Sequence, residues 1–478
     1  MNRMLSIILI GACLFIARAS DRHEQGKENK ILSYFPVSVG RPNIPDKYKV
    51  TSVEQLLPGT RYYLEHATQL KQGEQVLILD DSRVGDPLIT EAWAKAARER
   101  GAIVDVVTLD LTPHREPPEV GPMGSEPTSW WPTWLEHAIM KADVTLVLTP
   151  ININHGIRRQ TVETKWNRGR IGLPGNIYTR EQLAFTKWTT FPAELDVALQ
   201  RKLYDQTDVD DGPKVIRITD PLGTDLTFTQ DVDREWVRKS FAYDLNRIEI
   251  SLTRRVEYMF HHNKIAPGLS RKPDGRGLIV TTSLPSGPIS PMKLHIEGGQ
   301  IVKVEGNDPI AEEWRRGLGA YKDVDYGFPH GRGVAWLEGV YIGTCPKVIR
   351  PDYFTPTYFV EQGSYNYWWC EIKRSGFIHI GFGKGWSGLD GVKEGLPTWH
   401  HDVFLPFPTV TVNGQKIVDN GHLMALDDAE IRRIAAKYGN PDELLREEWI
   451  PAYEADPSIK GYYTQEQYNA ILKSFKRL

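Results

Sequence analysis

Residues 75–109 read QVLILDDSRVGDPLITEAWAKAARERGAIVDVVTL, and this stretch decides the fold of the N-terminal part of the chain. The short apolar run at 75–79 predicts a buried strand, and Asp86-Pro87 predicts a capped helix start. A helix over 88–100 and a second apolar strand over 102–109 are expected to follow. Continuous apolar strands that alternate with helices are typical of a parallel sheet covered on both faces.

The alternation continues to about residue 210, with a helix predicted at 134–141 and a buried strand at 144–148. No glycine pattern of a dinucleotide-binding turn follows the first strand, so this cofactor has no support. The loop at 113–132, rich in Pro, Gly and Trp, is either a lid over a site or an ordinary surface crossing. We therefore predict a parallel-sheet α/β domain over 49–212.

The hydrophobic period changes to two from about residue 213, which indicates antiparallel strands with one buried face. Strands are predicted at 214–219, 225–229, 277–283, 334–342, 377–382 and 403–418, and a hairpin at 294–304. Gly298-Gly299 and Asn413-Gly414 supply hairpin turns, and Asp220 opens another turn. The sequence therefore predicts the α/β class, with an antiparallel β-rich α+β domain over 213–425.

The remaining residues, 426–478, are predicted to form C-terminal helices. Asp427 stands where a helix cap is expected, and Gly439 stands where that helix should end. Two shorter helices are expected after it.

The composition excludes some partners. The chain has 478 residues and a formal net charge of −3, so no general field attracts nucleic acid or an anionic membrane.

Apart from Cys13, only Cys345 and Cys370 are present, either as one disulfide or as two buried thiols.

The N-terminus predicts an exported protein. Arg3, a short apolar run at 5–16 and Ala17-Arg18-Ala19 together form the pattern of a cleaved secretory signal over 1–20. Residues 21–48 then form an irregular extension, and the mature chain is expected to be secreted or periplasmic, with no membrane span. A retained anchor, a lipoprotein and a wrongly assigned start are the alternatives.

Three residues with metal-binding side chains fall on the predicted strands or at their ends. His400 and Asp402 stand two residues apart, so in a strand both point to one side and His401 points away. His379 supplies an imidazole within the apolar run 377–382. Two histidines and one carboxylate suit iron(II), zinc, manganese or cobalt. The β-rich domain is therefore predicted to be the metal-site domain.

Glu338 is a further candidate, because a carboxylate inside an apolar strand needs a cation or a hydrogen-bond network. It is predicted to be a metal ligand or a general base, with an arginine pair as the alternative. His379 has the alternative of a hydrogen-bonded core residue, and His400 with Asp402 that of an ion pair. His330, in a loop, is a weaker pocket candidate, and His401 is expected to support a ligand or to be exposed. The motifs of serine hydrolases, helical zinc peptidases and phosphate loops are absent from the sequence.

The order of several short motifs resembles that in two related enzyme families. In chain order the motifs are Gly-Thr-Asp-Leu at 223–226, Leu-Pro-Ser-Gly at 284–287, a glycine-flanked hairpin at 299–306, Glu338, Ile-Gly-Thr-Cys-Pro at 342–346, the His379 strand and His400-x-Asp402 before a hairpin. The chain thereby resembles, over roughly 50–425, the thermophilic-type metallo-aminopeptidases (aminopeptidases T and S). It is also similar to the 2,5-dihydroxypyridine 5,6-dioxygenases.

The resemblance implies that Glu338, His379, His400 and Asp402 are metal ligands, because they match four positions of the peptidases. Glu338 is one residue out of step with its motif, so a β-bulge is needed to aim it inward. A further glutamate of the peptidases is replaced here by Pro288, which leaves one firmly bound divalent metal per chain as the expectation. The dioxygenases also lack that glutamate, but their first histidine falls where this chain has Glu338. The resemblance also implies a homodimer.

The favoured expectation is a metal-dependent, aminopeptidase-like hydrolase that acts on a peptide or other amide through a metal-activated water, with Glu338 as base or ligand. The alternative is a mononuclear non-haem iron(II) dioxygenase that opens a hydroxylated aromatic ring. A non-catalytic binding protein on the same scaffold is a third possibility. The substrate is expected to be a small molecule or a peptide.

Overall fold

The computed structural model of the chain describes residues 50–66, 68–81, 85–109, 133–148, 171–172, 180–185, 187–207, 212–231, 262–265, 273–284, 287–307, 309–325, 332–348, 371–383, 399 and 401–447. Several predicted features lie outside these residues and stay predictions: the signal segment, the loop at 113–132, His330, Cys370 and His400.

The N-terminal unit is a small parallel sheet with helices, as the sequence predicts. Its strands are β1 (Gln75–Asp81), β2 (Ile103–Leu109), β3 (Val144–Val147) and β4 (Ile171–Gly172), in the order β2-β1-β3-β4. Its helices are α1 (Leu57–His66), α2 (Pro87–Glu99), α3 (Thr133–Lys141), α4 (Arg180–Phe185) and α5 (Ala193–Thr207). Strand β1 is central and its apolar side chains are buried, which explains its unbroken apolar run.

Helix α2 shows how the local sequence determines this unit. Asp86 accepts a hydrogen bond from the N–H of Leu88 at 3.0 Å, and Pro87 occupies the first turn, where no donor is needed. At the other end Gly101 has a φ of +80°, and its N–H donates to the carbonyl of Arg98. The predicted start and end of this helix are confirmed to within one residue.

The second unit is an antiparallel sheet that has twelve strands in the described segments. The strands are β5 (Lys214–Thr219), β6 (Asp225–Gln230), β7 (His262–Ile265), β8 (Arg276–Leu284), β9 (Gly287–Glu297), β10 (Gln300–Glu305), β11 (Trp336–Gly343), β12 (Ile378–Gly383), β13 (His401–Leu405), β14 (Thr409–Val412), β15 (Gln415–Asp419) and β16 (His422–Leu423). They run in the order β13-β12-β11-β10-β9-β8-β6-β5-β14-β15-β16, and β7 pairs with β11. Helix α6 (Pro309–Tyr321) follows β10. The predicted fold class is confirmed.

The predicted long extended run at 403–418 is divided into β13, β14 and β15. Pro406 and Pro408 interrupt it after β13, because proline cannot donate to a strand ladder. Asn413 and Gly414 have φ of +49° and +84°, as a tight hairpin turn with two left-handed residues requires.

The sheet also curls, so that its edge strand β13 returns towards β8. The hydroxyl of Thr281 on β8 donates a hydrogen bond to the carbonyl of Phe404 on β13 at 3.0 Å. The short link 406–408 then leads the chain from β13 to β14, which lies far along the strand order. The edge that β13 would otherwise expose is therefore covered.

The first C-terminal helix begins later than predicted. Asp428, not Asp427, caps α7 (Ala429–Ala435) by accepting from the N–H groups of Glu430 and Ile431 at 2.9 and 3.4 Å. Asp427 ends a short 3-10 turn, and its carboxylate lies 2.9 Å from Nε2 of His422. That ion pair explains why the first of two adjacent aspartates does not form the cap. Helix α8 (Pro441–Leu444) follows.

Four side chains, which we call the C-terminal clamp, hold the end of the described chain against the β-rich unit: Lys347, Ser375, His422 and Glu447. Buried Glu447 accepts a hydrogen bond from the hydroxyl of Ser375 and lies 2.9 Å from Nδ1 of His422. Buried Lys347 donates to two carbonyl groups of the segment 443–446. The hydrogen bond that the His422 ring donates to the carboxylate of Glu447 is the main cause that raises the pKa of His422 to about 9.

We expect the protein to lose stability as the pH rises through about 9, because His422 then loses its proton. The folded pKa exceeds the ordinary value of 6.5, so the contribution is complete below pH 6.5 and is lost as pH passes the folded value. Since the side chain is 26% exposed, we expect a loss of about 1–2 kcal/mol. Urea unfolding at a pH below 6.5 and at a pH above about 9 measures this loss in the free energy of unfolding. The variant His422→Gln should show a smaller fall, and an equal fall would assign the effect to other groups.

Two further predictions concern the cysteines and the membrane. Cys345 is buried, and because Cys370 lies outside the described residues, the choice between one disulfide and two thiols stays a prediction. Within the segments that the structure covers, no helix combines the length and the apolar character needed to cross a bilayer.

Candidate active site

Strands β11, β12 and β13 bring candidate residues to one face of the sheet. In the antiparallel ladders His379 pairs with Tyr341, and Gly381 pairs with Gly339 on one side and Asp402 on the other. Paired residues point to the same side of a sheet, and so do alternate residues of one strand. His379, Tyr341 and Asp402 therefore share a surface, which we call the site face.

His379 and Asp402 form a buried pair on the site face. Nε2 of His379 lies 2.6 Å from Oδ1 of Asp402, and the two side chains are only 7% and 1% exposed. The ring of Phe404, the next residue of β13 on this face, meets the imidazole edge-on at 5.7 Å. Burial of a carboxylate is costly unless a hydrogen bond or a cation compensates. The contact between His379 and Asp402 therefore offsets the free-energy cost of burying each side chain.

A β-bulge turns Glu338 to the site face. The β11–β12 register shifts between Leu337, which pairs with Phe382, and Gly339, which pairs with Gly381. Without the extra residue, Glu338 would alternate with Gly339 and point to the opposite side. The bulge that the resemblance implies for Glu338 is therefore present.

Gly383 makes room for the carboxylate of Glu338. A side chain built on Gly383 would place its first carbon 2.1 Å from Oε1 of Glu338, which is a severe clash. Gly383 lies two and four residues beyond Gly381 and His379 on β12, so the carboxylate lies above the same face as His379. Glu338 is only half-buried, in contrast to His379 and Asp402.

His401 lies on the opposite face and is buried, so the expectation that it could be exposed is wrong. The centroid of its ring lies 4.8 Å from that of Trp314 on α6 and 4.4 Å from that of Trp399. It pairs with Phe382, which also belongs to this apolar side of the sheet. The aromatic packing anchors β13 directly beside Asp402.

Tyr341 is the site-face residue that the sequence did not single out. Its ring stacks on the imidazole of His379, with centroids 4.7 Å apart and an angle of 15° between the planes. The period of two along β11 places Tyr341 and Gly339 on one side, but only the pairing register shows that His379 lies beside them. A sequence pattern alone does not carry that register.

The donor set suits a divalent metal in its chemistry, although it is incomplete in the described part of the chain. Nitrogen and oxygen ligands about 2.0–2.2 Å from one ion lie about 3 Å apart. The 2.6 Å contact between His379 and Asp402 would need only a small opening to admit an ion. Among the residues that the structure describes, no group of three or more His, Cys, Asp and Glu forms a metal site. The predicted ligand His400 lies outside them.

A separate cavity of about 770 Å³ lies between α1, the residues before α5 and the α7–α8 connection. Tyr62 lines it, with its hydroxyl held by the backbone of Phe191 and Ala193. The cavity lining includes none of Glu338, His379 and Asp402. The cavity is therefore separate from the site face.

Comparisons with known proteins return structures of the two families that the sequence resembles. No protein-family model matches the chain, and no curated protein matches its sequence. The structure of 2,5-dihydroxypyridine dioxygenase from Pseudomonas putida KT2440 is 14% identical, covers 79% of this chain and 99% of its own, and gives a TM-score of 0.49. Wild-type AmpT from Thermus thermophilus is 13% identical, with 78% and 99% covered and a TM-score of 0.40.

Proposed function

We propose that the protein is a metal-dependent hydrolase that cleaves a peptide or another amide at the site face. The observation that carries this proposal is the position of Glu338. A half-buried carboxylate that a bulge turns to the face carrying the buried His379–Asp402 pair is a group that can exchange protons with a substrate.

In this proposal His379, Asp402 and His400 hold the metal, and Glu338 is a fourth ligand or the general base. A divalent ion bound there would polarise the amide carbonyl and lower the pKa of a water. Glu338 accepts a proton as the water oxygen bonds to the carbonyl carbon, and it returns this proton to the leaving nitrogen as the carbon–nitrogen bond breaks. The atoms of water are thereby divided between the acid and the amine products.

The mononuclear iron(II) dioxygenase is the second candidate, and it is favoured by Pro288. This residue lies on β9 where the peptidases carry a further carboxylate, and it supplies no ligand. Two imidazoles and one aspartate would then be the complete protein ligand set, which leaves positions for dioxygen and a substrate.

The experiment that tests both is metal analysis of the anaerobically purified protein, followed by assays with peptide amides and with hydroxylated aromatic compounds. We expect zinc, cobalt or manganese with the wild-type chain, none with His379→Ala, and release of amine from an amide. One iron per chain, with oxygen consumption that depends on the aromatic compound, would establish the dioxygenase instead. A chain that binds no metal and turns over neither compound would be a binding protein.

We also propose that the chain is exported and acts as a homodimer. The support is the predicted signal over 1–20 and the resemblance to dimeric enzymes. N-terminal sequencing of the protein isolated from its native cells tests whether the signal is removed. Light scattering of the mature chain tests whether it is a homodimer.

A further inference from the structure

Tyr341 occupies a position on the site face that the hydrolase mechanism above does not use. Its ring covers the imidazole of His379 in a stacked arrangement. His379 is only 7% exposed, whereas Tyr341 is half-buried, so the tyrosine lies towards the more open side of the pair. The phenol is therefore closer to an incoming substrate than the imidazole beneath it.

The hydroxyl of Tyr341 is directed over Gly339. A first side-chain carbon built on Gly339 would lie 2.9 Å from Cε2 and 3.1 Å from the hydroxyl oxygen of Tyr341. Gly339 is adjacent to Glu338 in the bulge and pairs with Gly381, whose other partner is Asp402. The hydroxyl thus lies above Gly339, on the face that also presents Glu338 and Asp402.

A phenol at this position can donate a hydrogen bond without taking the proton that Glu338 must carry. When water adds to an amide carbonyl, the carbonyl oxygen gains negative charge, and a fixed donor close to it lowers the barrier. Gly339 has no side chain and thereby leaves the space that the phenol ring and its hydroxyl occupy. The stack on His379 fixes the ring, so the donor is oriented before the reaction begins.

We propose that Tyr341 is a catalytic residue whose hydroxyl donates a hydrogen bond to the developing oxyanion of the substrate. This inference rests on the proposed hydrolase function. It assigns a task that neither His379 nor Asp402 can perform, because both are buried and paired with each other.

The test compares Tyr341→Phe, which keeps the stacked ring, with Tyr341→Leu, which removes ring and hydroxyl. We expect Tyr341→Phe to lower kcat by about 100-fold to 1,000-fold with a KM change below about threefold. Binding of a tetrahedral phosphonate analogue should weaken by a similar factor, while binding of the product amine should stay unchanged. In the metal-free protein, the ring-current shift of the His379 proton signals should persist in Tyr341→Phe and disappear in Tyr341→Leu.

Gly339→Ala provides an independent variant, because its methyl group would displace the phenol without removing it. We expect the same loss of phosphonate binding as in Tyr341→Phe. Tyr321→Phe, at the end of α6, is the matched control and should behave like the wild type. A Tyr341→Phe enzyme with wild-type kcat and phosphonate affinity would overturn the proposal and leave the ring with a purely structural task.

Failure of the proposed function and failure of the Tyr341 assignment would give different results. If wild-type protein hydrolyses no amide, the proposed function is wrong, whatever Tyr341 does. If the wild type is active, His379→Ala is inactive and Tyr341→Phe is fully active, the hydrolase stands and only the assignment of Tyr341 falls.

Discussion

Replacing Glu338 with glutamine is expected to lower kcat by a factor of about 100 to 10,000 while the fold is retained. Glutamine has nearly the same shape and fits beside Gly383, but it cannot accept a proton from water. Steady-state kinetics with a peptide amide gives kcat, and metal analysis of the same sample shows whether the ion is still bound. A large loss of kcat with full metal content would identify Glu338 as the base, whereas loss of the metal would identify it as a ligand.

Glu297→Gln is the matched control for this change. Glu297 is an exposed glutamate at the end of β9, in the same sheet, and it does not lie on strands β11 to β13. Its substitution should leave kcat within about twofold of the wild type, since surface changes away from a site have small effects. Activity of Glu338→Gln equal to that of Glu297→Gln would remove Glu338 from the mechanism.

The second large effect is expected from the buried pair. His379→Ala and Asp402→Ala should each destabilise the metal-free protein by about 2–4 kcal/mol, because the remaining partner loses its hydrogen bond in a buried place. The double variant should cost less than the sum, with a coupling energy of about 1–3 kcal/mol. Urea unfolding of all four proteins in the presence of a chelator measures this cycle. Additive costs would contradict a direct contact between the two side chains.

Asp402→Asn separates the structural task of this residue from the metal-binding task. The amide can retain a hydrogen bond to His379, so we expect a stability loss below about 1.5 kcal/mol. It removes the negative charge, so we expect the metal affinity to fall by at least about 100-fold. Isothermal titration with zinc gives the affinity. Unchanged affinity in Asp402→Asn would exclude this carboxylate as a ligand.

Much of the fold follows from local sequence, as α2 and the Asn413-Gly414 turn show. Asp86-Pro87 at the start of α2 and Gly101 after it act through their own backbone preferences, which a sequence displays directly. The sequence predicts the cap at Asp427 and not at Asp428, because the choice between two adjacent aspartates depends on His422, which binds Asp427. That contact is tertiary, and no local preference encodes it.

The candidate site also has features that the local sequence predicts and features that it does not. The types of residue at His379 and Asp402 can be derived from the sequence, because each concerns one strand and its alternation. The need for a bulge at Glu338 follows from the resemblance to the peptidases. Their meeting depends on the register between strands, and so does the place of Tyr341 over Gly339. The burial of His401 depends on α6, which packs across the sheet from a distant part of the chain. Register and packing partners arise only from the assembled structure.

The short link 406–408 between β13 and β14 has a consequence for the order of assembly. Because β13 pairs with β12 while β14 pairs with β5, this link can reach its final geometry only after distant strands have come together. Asp402 is on β13, so the His379–Asp402 pair forms only when β13 has docked beside β12. Loading of a metal would then report the docking of β13 on β12, and a chain without that contact would remain empty. Contacts between distant parts of a chain form slowly, so refolding is expected to restore helical signal before metal binding.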